Sequence, residues 1–214
     1  MAESKTSPNN AGQVVLRVYR ALAIGLLLLI IGGALSIPFI YESMTLWYKI
    51  GIDKTMLRAG QLAGLLAVVL IFVQILLAAR AKFLQKLFGL ANLLRWHRKN
   101  GIAIALLAIS HVTLVLAPEG FSNLPIGKKY WPEMVGALLL SIVLFMAISS
   151  QFRQQLKLDY KWWKLTHRLL GYLVPLVITV HVLFVSDSFT RTVPKAAFLT
   201  TLVLVIVAVV VSKK

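Results

Sequence analysis

Six long apolar runs constrain this chain more than any other feature of its sequence. They cover approximately residues 20–40, 59–79, 98–117, 134–151, 168–186 and 195–211. A helix that crosses a bilayer needs roughly 20 mostly apolar residues. In hydrocarbon only a helix or a closed barrel satisfies its own backbone. The expectation is an all-α integral membrane protein, a bundle of six transmembrane helices. None of the seven Asp and Glu residues falls inside these runs. The first run is too long for a cleavable signal peptide, and no small-x-small site follows it before Pro38 and Tyr41. Residues 1–16 are polar and read as a flexible N-terminal tail, with residues 17–214 as a single transmembrane domain.

Composition agrees and removes the alternatives. With 59% hydrophobic and 14% charged residues, against about 25% charged in an average soluble domain, neither a soluble globule nor a disordered chain fits. The net charge of +16 would suggest nucleic acid in a soluble protein, but loop charge accounts for it here. Sixteen basic residues lie in the N-terminal tail, the second-to-third loop, the fourth-to-fifth loop and the C-terminus. The alternate loops hold seven: Lys49, Lys54, Arg58, Lys128, Lys129, Arg191 and Lys195. By the positive-inside rule both termini are cytoplasmic, which six spans satisfy because an even number returns the chain to the same side. Membrane lipid is then the expected partner, and nucleic acid is not. The same charge would also steer an acidic soluble partner to the inner face. The chain has no cysteine, which excludes disulfides, iron–sulfur clusters, thiolate zinc sites and cysteine nucleophiles. Compact loops and the absence of cysteine fit a bacterial inner (plasma) membrane.

All four histidines belong to one internal repeat. HRKNGIAIALLAISHV runs from His97 to Val112, and HRLLGYLVPLVITVHV from His167 to Val182. The shared pattern is H-R-x-x-G-x4-L-x4-H-V, beginning the third and fifth spans at the same depth. Fourteen residues of helix separate the paired histidines by ~21 Å along the axis and within ~40° of one face. The two spans run in the same direction, so His97 matches His167 in depth and His111 matches His181. Ionisable residues within a membrane are functional candidates by default. The structural alternative is a direct polar contact between helices.

Two imidazoles make a poor zinc or non-haem iron site without a carboxylate or thiolate. Haem needs only two axial ligands, and its macrocycle suits an apolar interior, so bis-histidine haem is the economical reading. Gly101 and Gly171, four residues after His97 and His167, would leave room for a flat macrocycle or simply allow close helix packing. Arg98 and Arg168 suit haem propionates and equally suit positive-inside anchoring. Trp96, Trp162 and Trp163 fit an interfacial aromatic belt, and Pro175 is placed to kink the fifth span.

The two H-x13-H spacings, in the third and fifth of six spans, resemble the ferric reductase-like transmembrane domain family. That family includes NADPH oxidases, ferric reductases and the haem-binding membrane subunit of a periplasmic methionine sulfoxide reductase system. The resemblance covers roughly residues 20–211. It implies an inner b haem on His97 and His167, an outer one on His111 and His181, and electron transfer across the membrane as an oxidoreductase component. The fuller members carry a flavin- and nicotinamide-binding module, and no G-x-G-x-x-G fingerprint occurs here. The expected donor is therefore a soluble flavin/nicotinamide reductase on the cytoplasmic side, free flavin or a quinol, with flavin also a candidate for one of the two sites. The expected acceptor is oxygen, ferric ion or a periplasmic redox partner, met at the outer loop around Glu119, Lys128, Lys129, Trp131 and Glu133. A rival of another class is a proton or metal transporter using the histidines. That rival would want interrupted helices in corresponding halves, and Pro38 and Pro175 do not correspond.

Overall fold

The computed structural model describes residues 10–121 and 124–212. Its long helices are α1 (Asn10–Ile40), α3 (Gly51–Ala79), α5 (Leu90–Leu116), α6 (Trp131–Gln151), α7 (Tyr160–Val185) and α8 (Thr192–Ser212). Two short helices, α2 (Met44–Trp47) and α4 (Lys82–Phe88), lie at the ends of α1 and α3. No strand occurs among the described residues. All six long helices are long and apolar enough to cross a membrane. The all-α six-helix expectation is met.

The C-terminal ends agree with the apolar runs to about a residue, but most N-terminal ends begin earlier. α1 starts at Asn10, so residues 10–16, expected in a loose tail, are helical. α7 starts at Tyr160 rather than 168. Hydropathy marks where lipid begins, whereas backbone hydrogen bonding continues past that plane into water. Residues 1–9, the remainder of the expected tail, lie outside the described residues.

Local chemistry sets several of these ends. Asp159 caps α7, its carboxylate accepting from the backbone N–H groups of Lys161 (2.9 Å) and Trp162 (3.1 Å). The corner between α4 and α5 is Gly89 at φ 80° and ψ 143°, a conformation that side-chain-bearing residues avoid. α7 continues through Pro175 and α1 through Pro38. Neither proline ends its helix.

The packed core joins α3, α5, α6, α7 and α8 through residues such as Phe72, Ile104, Ile142, Ile178 and Phe198. Phe72 and Phe198 bring α3 and α8 together with ring centroids 5.7 Å apart. α5 packs chiefly on α3, and α7 chiefly on α6. α5 and α7 barely touch each other. The fold thus places two helix pairs side by side, each with one histidine-bearing member.

Candidate functional site

His97 lies seven residues after Leu90 at the start of α5, and His167 seven after Tyr160 at the start of α7. The repeat therefore keeps its register in the folded chain, although both residues sit well inside their helices rather than at the beginning. His97 and His167 face each other with ring centroids 6.4 Å apart and planes at 70°. His111 and His181 do the same at 6.4 Å and 79°. Both depth-matched pairs expected from the repeat are present.

The common distance is informative. A direct N–H···N bond of about 3 Å would bring imidazole centroids to roughly 5 Å. Two metal–nitrogen bonds of about 2 Å each, with half a ring on either side, span roughly 6 Å. The observed 6.4 Å is too long for a direct N–H···N bond and matches the span that two metal–nitrogen bonds need. Among the described residues no group of three or more His, Cys, Asp or Glu gathers to complete a conventional metal site. A group that brings its remaining ligands with it fits these residues.

Each ring at the His111–His181 pair is fixed by a backbone carbonyl from a neighbouring helix. His111 Nδ1–H donates to Gly60 O at 2.8 Å, and His181 Nδ1–H to Pro132 O at 3.0 Å. A carbonyl only accepts, so the proton is on Nδ1 and the Nε2 lone pair is available in both rings. The residue whose helical N–H shares that carbonyl is a glycine each time: Gly64 in α3 and Gly136 in α6. A Cβ on Gly64 would sit 2.7 Å from His111 Nδ1, and one on Gly136 would sit 2.8 Å from His181 Nδ1. The imidazoles reach their carbonyls only because those side chains are absent.

The His97–His167 pair is held by side chains instead. Ser150 Oγ lies 3.3 Å from His167 Nδ1, and Trp163 packs against the His167 ring at 5.4 Å between centroids. Gln74 Nε2 lies 3.4 Å from His97 Nε2 and donates to the His97 backbone carbonyl at 3.0 Å. Asn100 in turn donates to Gln74 Oε1 at 2.8 Å.

The other residues singled out in the sequence are placed as follows. A Cβ on Gly101 would meet Gln74 Nε2 at 3.2 Å, and one on Gly171 would approach only Met146 Cε at 4.0 Å. The glycines that clear space at the imidazole rings are thus Gly64 and Gly136. Arg98 and Arg168 are exposed. Trp162 is 72% exposed, as a belt residue would be, whereas Trp163 lies against a histidine. In the 117–133 loop Lys128, Lys129 and Trp131 are exposed. Glu119 is instead paired with Lys49 at 2.7 Å, and Glu133 Oε2 is buried with no partner among the described residues.

Gly60, Gly64, Gln74, Asn100, Pro132, Gly136 and Ser150 were not visible as site residues in the sequence. The available signal was a second repeat, Gly60-x3-Gly64 against Pro132-x3-Gly136. Its offset of 72 residues lies close to the 70 of the histidines. Such short patterns are meaningless until the histidines they serve are known.

No curated protein and no solved structure matches the chain. A family model described as ferric reductase like transmembrane component matches residues 63–178. That stretch is more than half the sequence and contains His97, His111 and His167. Six membrane-length helices, two histidine pairs between the third and fifth of them, and this match lead to one assignment: the chain belongs to the ferric reductase-like transmembrane family.

Proposed function

We propose that this chain is a b-type di-haem cytochrome that moves electrons across a membrane, an oxidoreductase component. The observation that carries the reading is the equal 6.4 Å separation of the two imidazole pairs on α5 and α7. Haem bound at the two pairs would supply the one-electron chemistry and four of each iron's six ligands.

The chain's own residues do the rest. His97 with His167, and His111 with His181, would hold the two irons. At the second pair the carbonyls of Gly60 and Pro132 hold the proton on Nδ1, leave Nε2 free for iron and strengthen it as a donor. Arg98 and Arg168 follow the first pair directly and would meet carboxylates on the cofactor. The exposed setting of both guanidiniums supports this, since they remain available. Gly101 leaves room for the Gln74 amide beside that pair.

In this reading both termini are cytoplasmic, which the loop charges support, residues 17–214 form a single membrane domain, and the membrane is a bacterial inner membrane. In that orientation the His97–His167 pair is the entry site for a cytoplasmic flavoprotein, flavin or quinol. The His111–His181 pair is the exit toward the outer-face acceptor. Lys128, Lys129 and Trp131 form its exposed approach, joined to His181 through Pro132. Unbroken helices at Pro38 and Pro175 weigh against a transporter built on interrupted spans.

The deciding experiment is a reduced-minus-oxidised visible spectrum of the detergent-purified protein, expressed with haem supplied, together with a haem count. Bis-histidine b-type bands and two haems per chain are expected. A folded, colourless protein would overturn the reading.

A further inference from the structure

The two helix pairs are related to each other position by position. An offset of 70 relates α5 to α7, and 72 relates α3 to α6. Gly60 and Gly64 thereby match Pro132 and Gly136, with the same carbonyl and the same missing side chain at each histidine. Beside the His97–His167 pair the halves differ, and on the His97 side the difference is a polar pair. Gln74 and Asn100 correspond to Met146 and Leu170, two apolar residues.

The polar pair is fully oriented. Asn100 Nδ2 donates to Leu70 O at 2.9 Å, which fixes its amide because a carbonyl only accepts. The same nitrogen donates to Gln74 Oε1 at 2.8 Å, which turns Gln74 Nε2 toward α5. There it donates to His97 O at 3.0 Å and stands 3.4 Å from His97 Nε2. The His97 carbonyl is shared in the helix with the N–H of Gly101, and Gly101 again supplies the clearance. His97 Nδ1 is buried with no partner among the described residues. Three of the four imidazoles thus face an oxygen that can accept their proton; His97 faces a donor.

Resting on the di-haem reading, we infer that Gln74, oriented by Asn100, is a positioning residue for His97 and makes the His97–His167 site electronically distinct from its partner. Acceptors on the distal nitrogen make an imidazole a more basic ligand. His97 Nδ1 has no such acceptor, and the positive end of the Gln74 amide dipole beside Nε2 disfavours the more positive, oxidised iron; hydrogen bonding and charge around axial ligands tune a haem's potential. The His97–His167 haem is therefore the one of higher midpoint potential.

The test is a redox titration of the purified full chain loaded with haem, with His111→Ala used to assign the waves. The wild type is measured first. Absence of haem there would defeat the di-haem reading itself, independently of Gln74. With two waves in hand, Gln74→Met installs the residue of the matching position. We expect the higher midpoint to fall toward the lower while the lower stays, or selective loss of haem from the His97–His167 pair. Asn100→Leu should shift the same wave in the same direction by less, and it decides the matter if Gln74→Met yields no loaded protein. Unchanged midpoints, or both waves moving together, would overturn the inference.

Discussion

The two histidine pairs have the same ring separation but different supports. His111 and His181 are anchored to main-chain carbonyls of α3 and α6, and a backbone inside a packed helix has little freedom to move. His97 and His167 lean on Gln74, Ser150 and Trp163, whose side chains retain rotamers. Equal spacing can therefore be reached by a rigid route and an adaptable one. The rigid pair should respond sharply to steric change and the adaptable pair to chemical change.

The largest expected effect breaks the rigid pair outright. His111→Ala should remove one of two haems, seen as a halved haem count. Full occupancy in that variant would contradict the pairing. Next, Gly136→Ala puts a methyl group against the His181 ring, inside van der Waals contact. Overpacking of this kind costs about 1–3 kcal/mol. It should lower haem occupancy at the His111–His181 pair roughly tenfold or more, while Gly171→Ala, which meets only Met146 Cε at 4.0 Å, leaves occupancy unchanged. Equal behaviour of the two variants in a haem titration would remove the contrast between the pairs.

A smaller effect is expected on the adaptable side. Ser150→Ala deletes a 3.3 Å hydroxyl contact at His167, worth about 0.5–1.5 kcal/mol at most. It should alter the low-spin spectrum of one haem without releasing it. Release of either haem would show that this pair is as tightly determined as the other.

The smallest effect lies away from both pairs, where the α1–α2 turn meets α3. Glu42 is bound by Lys54 at 3.0 Å and by Arg58. Its hydrogen bond to Lys54, opposed by partial burial and aided by the charges of Lys54 and Arg58, holds the carboxyl below the usual carboxylate range. A lowered folded value means stabilisation above the ordinary carboxylate range that is lost as pH falls through the lowered value. Glu42→Gln should therefore reduce thermal stability slightly at neutral pH and make no difference in strong acid. A deficit that persisted in acid would assign Glu42 a role other than this ion pair.

Much of this was legible in the chain before folding. Hydropathy located six helices because lipid leaves a backbone no alternative, and it mislocated their N-terminal ends because a helix does not stop where lipid does. The histidine repeat gave the pairs because 3.6 residues per turn converts a spacing of fourteen into two depths on one face. The supports were hidden for a physical reason. Gly64 serves His111, and Gly136 serves His181, through contacts across helices far apart in sequence. A missing side chain has no signature until its neighbour is known.

The sequence by itself determined that this chain is a six-helix membrane bundle with two imidazoles at matched heights on each of two helices. Those are consequences of local periodicity and of the free energy of apolar surface in lipid. Only the tertiary structure decided that α5 packs on α3 and α7 on α6. That packing holds the two histidine helices apart, sets both ring pairs at 6.4 Å, and gives one pair carbonyls and the other an amide. The distance between helices and the identity of a ring's neighbour depend on how side chains interlock across the bundle, which no single stretch of sequence contains.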